Sequence, residues 1–297
     1  MPSEKVLKLP AYGGQALIEG VMMRGKNNVA MAVRAPGGEI VVHEEKLPNL
    51  YRSRWMKTPF LRGIISLWDS MGLGMRLLTK SANIASGEDE QIEGAALTFT
   101  VIISLLLAVG IFFVLPAFIA GLIEKYFTIS QWKSNLVEGL LRLVILVLYM
   151  ALIGRMEDIK RVFAYHGAEH KTINAFEAGV ELNPENVSQQ TLVHPRCGTS
   201  FMLTLVLISI LIFSMLGPLR LHWRIISRIL LIPFVSGIAY EYIRFAANTM
   251  DRSALMRWLI KPNLWLQKLS TREPDLEMLE VSITAFNTML AAENREE

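Results

Sequence analysis

The densest concentration of chemically capable side chains is His166-Gly167-Ala168-Glu169-His170, an H-x-x-E-H pattern that inverts the zincin motif. At about 100° per residue, two histidines four apart fall roughly 40° apart on one helix face, one turn along. That spacing presents two imidazoles to a single tetrahedral Zn²⁺. Glu169 lies beside the pair rather than in it, where a carboxylate serves as general base toward water. Asn174 and Glu177 continue the face at i+4 and i+7 from His170, so Glu177 is a candidate ligand or a partner of one. Gly179 should end the helix.

A second constellation follows, His194-Pro195-Arg196-Cys197. Its imidazole and thiol stand three residues apart, a chelating spacing, and both are good zinc donors. Either completes a site begun by His166 and His170. Arg196 sets a cation beside Cys197, which suits a ligand or a nucleophile alike. Two histidines on a helix also occur without any metal; the second donor pair, in the same stretch of chain, is what makes the pattern a site. As the one cysteine in the chain, Cys197 excludes an intramolecular disulfide framework.

Weaker candidates lie elsewhere. Glu19 and Arg24 sit in the glycine-punctuated GGQALIEGVMMRG, which has neither G-x-G-x-x-G nor a P-loop and is not read as nucleotide binding. Met22, Met23 and Met31 read as core. Glu241, paired with Arg244 at a helix end, would mark function only if it lay inside a span. Arg228 is expected to snorkel to the interface, and Glu138 with Arg142, spaced i,i+4, to form a neutralised pair.

The elements that must position these residues are largely apolar. Of 297 residues 52% are hydrophobic and 19% charged, with mean hydropathy +0.35, a membrane-protein profile that excludes disorder and coiled coil. A net charge of +3 gives no basic field for nucleic acid, so no nucleic-acid partner is expected. The first residues lack the apolar core of a cleavable signal peptide. Residues 12–46 read as a small β unit with a hairpin turn at Ala35–Gly38 and a second turn at Asn27-Asn28. Residues 60–83 read as an interfacial helix, weakened by Gly72 and Gly74.

Residues 95–123 and 197–219 are uncharged runs long enough to cross a bilayer. The segments 136–154 and 225–243 are weaker, but each lies a short connection from a strong one, which gives two helical hairpins and about four spans. Lys and Arg concentrate in 1–94, in 155–199 and in the tail from 246, while 124–135 holds only Lys125 and Lys133. Arg220 and Arg224 are a local exception. The positive-inside rule then places both termini in the cytoplasm. The expected organisation is a β unit with an interfacial helix (1–94), a hairpin (95–154), a cytoplasmic segment with the H-x-x-E-H helix (155–196), a second hairpin (197–245) and interfacial and cytoplasmic C-terminal helices (246–297). Ser270-Thr271-Arg272-Glu273 reads as the capping box of the last helix.

Four blocks, GGQALIEGVMMRG, YHGAEHKTINAFEAG, HPRCGTSF and STREP, resemble in identity and order the YqhQ-like family of bacterial integral membrane proteins, catalogued as predicted metal-dependent enzymes. The resemblance spans nearly the whole chain. It implies a multi-pass protein of the bacterial cytoplasmic (inner) membrane and supports His166, Glu169, His170, His194 and Cys197 as the site; it names no substrate.

The expected protein is thus a mainly α integral membrane protein whose partner is the lipid bilayer, with its oligomeric state open. Its expected activity is metal-dependent, plausibly hydrolytic, at the cytoplasmic membrane face. In that scheme His166 and His170 bind a divalent metal, Zn²⁺ by donor type, with His194 or Cys197 as third ligand and Glu169 as base. The rivals are a non-catalytic scaffold or regulator stapled by a structural metal, and a small transporter, disfavoured because the two strongest spans hold no ionisable residue.

Overall fold

Period-two alternation near the N-terminus builds a four-stranded antiparallel meander of β1 (Gly13–Leu17), β2 (Gly20–Arg24), β3 (Asn28–Arg34) and β4 (Ile40–Lys46). These come from a computed structural model that describes residues 12–48, 54–87, 94–217, 219–250 and 252–295. The amino-terminal residues 1–11, read above for a signal peptide, lie outside them. The Ala35–Gly38 turn forms as expected, with Gly38 N–H donating to the Ala35 carbonyl at 2.9 Å. The β2–β3 turn closes where Gly25 N–H meets the Asn28 carbonyl, also at 2.9 Å. One turn was not anticipated: the stretch Gly13–Arg24 is itself a hairpin. It reverses at Ile18-Glu19, with Leu17 opposite Gly20 and Glu19 in the left-handed region at φ 51°.

Both faces of the sheet are covered, so β2 and β3 are buried almost throughout. Val21, Met23, Ala30 and Ala32 face Phe286 and Met289 of α10 (Leu276–Asn294) and the core side of α5 (Glu157–Glu177). The alternate set, Met22, Val29, Met31 and Val33, meets Leu73 and Leu77 of α1 (Leu61–Ser86). The methionines are core, as read. The buried carboxylate of Glu293 locks the far end of α10 to the sheet by accepting from the backbone N–H groups of Asn27 and Asn28 at 2.6 and 2.8 Å. Helix α10 is capped by Asp275, which accepts from Met278 N–H at 2.8 Å. Ser270-Thr271-Arg272-Glu273 is therefore no capping box; Ser270 ends the preceding helix, and the cap lies at the next acidic residue before the apolar run.

Among the described residues, three helices are long and apolar enough to cross a membrane: Leu97–Phe127, Gln131–Ile153 and Leu221–Thr249. The first comprises α2 (Gly94–Val109) and α3 (Leu115–Phe127), joined by a π-helical turn at Gly110–Val114. The others are α4 (Gln131–Ile153) and α8 (Leu221–Thr249). The uncharged run 197–219, read as one of the two strongest spans, forms only the 17-residue α7 (Gly198–Ser214). Its rise of about 25 Å falls short of the roughly 30 Å hydrocarbon core. Gly217-Pro218 follows, and a proline disfavours helical backbone in the residue before it. The segments read as weaker form longer helices than α7 because their charged residues lie within the helix instead of ending it.

Those charges form one buried network. Glu138 of α4 accepts from Arg142 at 2.9 Å and from Arg224 and Arg228 of α8 at 2.9 and 3.1 Å. The Asn135 side-chain oxygen accepts from both α8 arginines at 2.9 Å. Arg142 Nε donates to the Phe112 carbonyl at 2.9 Å, within the π-helical turn, where the regular bonding ladder is displaced. Glu138 and Arg142 do pair, as expected. Arg228 does not snorkel: it is 1% exposed, and its guanidinium lies 4.7 Å over the Phe213 ring. The carboxylate next to it in space makes burial cheaper than reaching the interface.

Candidate functional site

Helix α5 starts with Glu157 and Asp158 in its first turn, where acidic groups suit the helix dipole. It ends at Gly179, φ 68°, where Gly179 and Val180 N–H return to the carbonyls of Phe176 and Ala175. One side of α5 belongs to the core with α10, pinned by a Thr172–Ser282 hydroxyl bond at 2.8 Å. The opposite side carries His166, His170, Asn174 and Glu177. Against it lie the segment 189–197, reached after the short α6 (Pro184–Ser188), and the end of α9 (Ala254–Ser270).

Two backbone carbonyls orient the imidazoles. His166 Nδ1 lies 2.8 Å from the Ser270 carbonyl, and His170 Nδ1 lies 2.6 Å from that of Leu192. A carbonyl only accepts, so each Nδ1 carries the proton and each Nε2 presents a lone pair. His166 Nε2 meets Cys197 Sγ at 3.2 Å. His170 Nε2 is buried with no hydrogen-bond partner, in a residue with no exposed surface. The ligand atoms of His166, His170 and Cys197 all lie within 4.8 Å of one another. Cys197 is the N-cap of α7, its sulfur accepting from Thr199 N–H at 3.4 Å. Gly167 is required for this approach, because a Cβ there would overlap the Arg272 carbonyl oxygen beside Ser270.

His194 stands next to this group, its ring 5.7 Å from that of His170. Its Nε2 is buried without a hydrogen-bond partner and lies 3.8 Å from the Glu177 carboxylate. Glu177 also pairs with Arg196. Burial pushes the Glu177 carboxyl up, but its contacts with His194 and Arg196 outweigh this and hold it below the ordinary range. Asn174 donates to the carbonyls of Thr191 and Val193 at 2.8 and 3.2 Å, which fixes Leu192 between them over His170. Glu169 is buried and faces β1, taking a hydrogen bond from Gly14 N–H. Burial pushes its carboxyl up to about 7, opposed by His166 and by that bond. It is not one of the three grouped donors.

Three other candidates fall away from the cluster. Glu19 binds Arg161 through two contacts of 2.5 Å, tying the β1–β2 turn to the start of α5; the guanidinium holds its carboxyl below the usual range. Arg24 ends β2 opposite Gly13 and Val29. Glu241 binds Arg62 at 2.6 Å and joins α8 to α1, in place of the expected pairing with Arg244. One residue of the site was missed. Gln267, fully buried, clamps His194 by accepting from its N–H at 3.0 Å and donating to its carbonyl at 2.8 Å. It also donates to the Ser200 hydroxyl at 2.7 Å. An uncharged glutamine amid charged residues in an amphipathic stretch was the available signal.

Residues 58–292 match the family described as protein of unknown function (DUF1385). The chain is 35% identical to the uncharacterized protein YqhQ of Bacillus subtilis (strain 168), an alignment covering 96% of this chain and 93% of that protein. No solved structure matches. The family model covers most of the chain, and the relative aligns along nearly its whole length: the chain belongs to the DUF1385 family.

Proposed function

We propose that the protein is a membrane-embedded metal-dependent hydrolase in which His166, His170 and Cys197 hold a divalent ion. The carrying observation is His170 Nε2. A buried polar atom with no partner is rare, and this one is a lone pair aimed into a space bounded by a second lone pair and a thiol. Two imidazoles and one sulfur form a zinc donor set, and carbonyl bonds on the opposite ring nitrogens are the usual support of such ligands. Three protein donors leave a coordination position open, as catalytic sites do. When bound, the ion supplies Lewis acidity. Glu169 would take a proton from water at its carboxylate, while Asn174 and Gln267 hold the segment carrying Leu192 and His194 in place.

One observation favours a second reading. His194 Nε2 is also buried and without a hydrogen bond, and as a fourth ligand it would close the site into a structural staple of a non-catalytic scaffold. Glu169→Gln separates the two, because the amide cannot accept a proton yet fits the same space. Catalysis by Glu169 predicts that this variant keeps its metal but fails to complement a deletion strain, with a rate loss of about 10²–10⁴. Full complementation at matched expression would sink the enzyme reading.

Helix α7, apolar and packed against α4 and α8, is the fourth span of this reading, its 17 residues at the lower limit of what crosses a bilayer, in the bacterial inner membrane with both termini cytoplasmic. Single-cysteine labelling in intact cells, on a Cys197→Ser background, should modify residue 129 from outside and leave residues 36 and 181 protected. External labelling at 181 would overturn the orientation.

A further inference from the structure

Beside the donor cluster, α7, α8 and α9 bound an open groove of about 620 Å³. Its walls include Leu207 and Leu211 of α7 and Trp258 and Trp265 of α9, with Lys261 and Asn263 also lining it. Trp258, Lys261 and Trp265 are spaced i, i+3, i+7 and so form one stripe. Both tryptophans are more than half exposed, and Lys261 between them is exposed as well.

The groove is joined to the cluster by paired rungs. Asn263 donates to the Thr204 hydroxyl at 2.9 Å, Gln267 to that of Ser200 at 2.7 Å, and the Ser270 carbonyl holds His166 against Cys197. On α9 the rungs recur at i, i+4 and i+7; on α7 they recur at i, i−4 and i−7, counting back from Thr204 to Cys197. The groove's inner end at Thr204 thus lies about 10 Å of helix rise from the cysteine.

We infer that this groove seats an acyl chain of an anionic phospholipid whose phosphate pairs with Lys261, which makes a membrane lipid the substrate class of the His166/His170/Cys197 site. Three features argue for that occupant. The walls are mostly apolar, and two of the helices that carry them, α7 and α8, are apolar, so the ligand is apolar over most of its length. Tryptophans flanking a lysine on one stripe match the headgroup level of a bilayer, where the rings sit at the interface and the ammonium meets phosphate. The rung ladder places the reacting region of such a lipid at the cluster end of the groove. The substrate half of the inference rests on the metal-enzyme reading; the lipid-binding half does not.

The test is photolabelling of the detergent-purified, full-length protein with phosphatidylglycerol carrying a diazirine on its acyl chain, adducts being mapped by mass spectrometry. Adducts should concentrate on residues 204–211 and 258–265. Leu207→Trp, which fills the groove, should remove most of them. Lys261→Glu should lower labelling by phosphatidylglycerol about fivefold while leaving that by a matching phosphatidylcholine probe unchanged. Both variants should keep wild-type metal content. Adducts spread evenly over the apolar faces of α2 and α4, or labelling indifferent to Leu207→Trp, would overturn the lipid site. Groove labelling in a protein that holds no metal would confirm the lipid site and overturn its assignment as substrate.

Discussion

Glu138→Ala should destabilise the helical core by about 3–5 kcal/mol, the range for removing one partner of a buried ionic network. Glu138 is 1% exposed and Arg142, Arg224 and Arg228 are each no more than 3% exposed. Its loss leaves three guanidiniums facing one another, relieved among the described residues only by the half-buried Glu124, 3.3 Å from Arg224. Thermal unfolding of the purified variant in detergent should show a large drop in midpoint. Adding Arg142→Leu should recover part of it, because removing an unpaired buried charge is favourable once its partner is gone. A Glu138→Ala protein as stable as wild type would mean that water reaches the network and that its charges are screened.

The second large effect is expected at His170. His170→Ala removes a lone pair from the donor set and leaves the Leu192 carbonyl without its buried donor. The variant should lose most of its metal and fail to complement, while the apolar helices still insert. His194→Ala is the informative control. In the three-donor site it retains metal and loses stability only locally, through the neighbouring Glu177 and the segment clamped by Gln267. If His194→Ala loses metal as completely as His170→Ala, the site has four ligands and the scaffold reading prevails.

Most of the donor cluster was legible because its spacing is local. His166 and His170 share a face through helix periodicity alone, and Cys197 was one of two donors left open as the third. What completes the site was not legible: the carbonyls of Leu192 and Ser270 carry no side-chain signal, and Gln267 reaches His194 across 73 positions of sequence. The same divide runs through the fold. Alternation in β3 revealed a strand, but only the packing of α1 and α10 explains why alanines line one face and larger residues the other. Hydropathy treats charges one at a time, so Arg228 read as a residue seeking the interface; in the bundle three arginines share one carboxylate, and the segments that looked weakest are among the longest apolar helices. Gly167 read as an ordinary position inside the motif, and the Arg272 carbonyl that forbids a side chain there lies more than a hundred residues away.

The central claim, that two tautomer-locked imidazoles and one thiol form a metal centre, is tested most directly by elemental analysis with zinc-edge X-ray absorption on the purified wild-type protein. The account predicts about one ion per chain, with a first shell containing two imidazole nitrogens and one sulfur at about 2.0–2.1 and 2.3 Å. Protein purified without chelators that holds no metal, or an ion whose shell lacks sulfur, would contradict it.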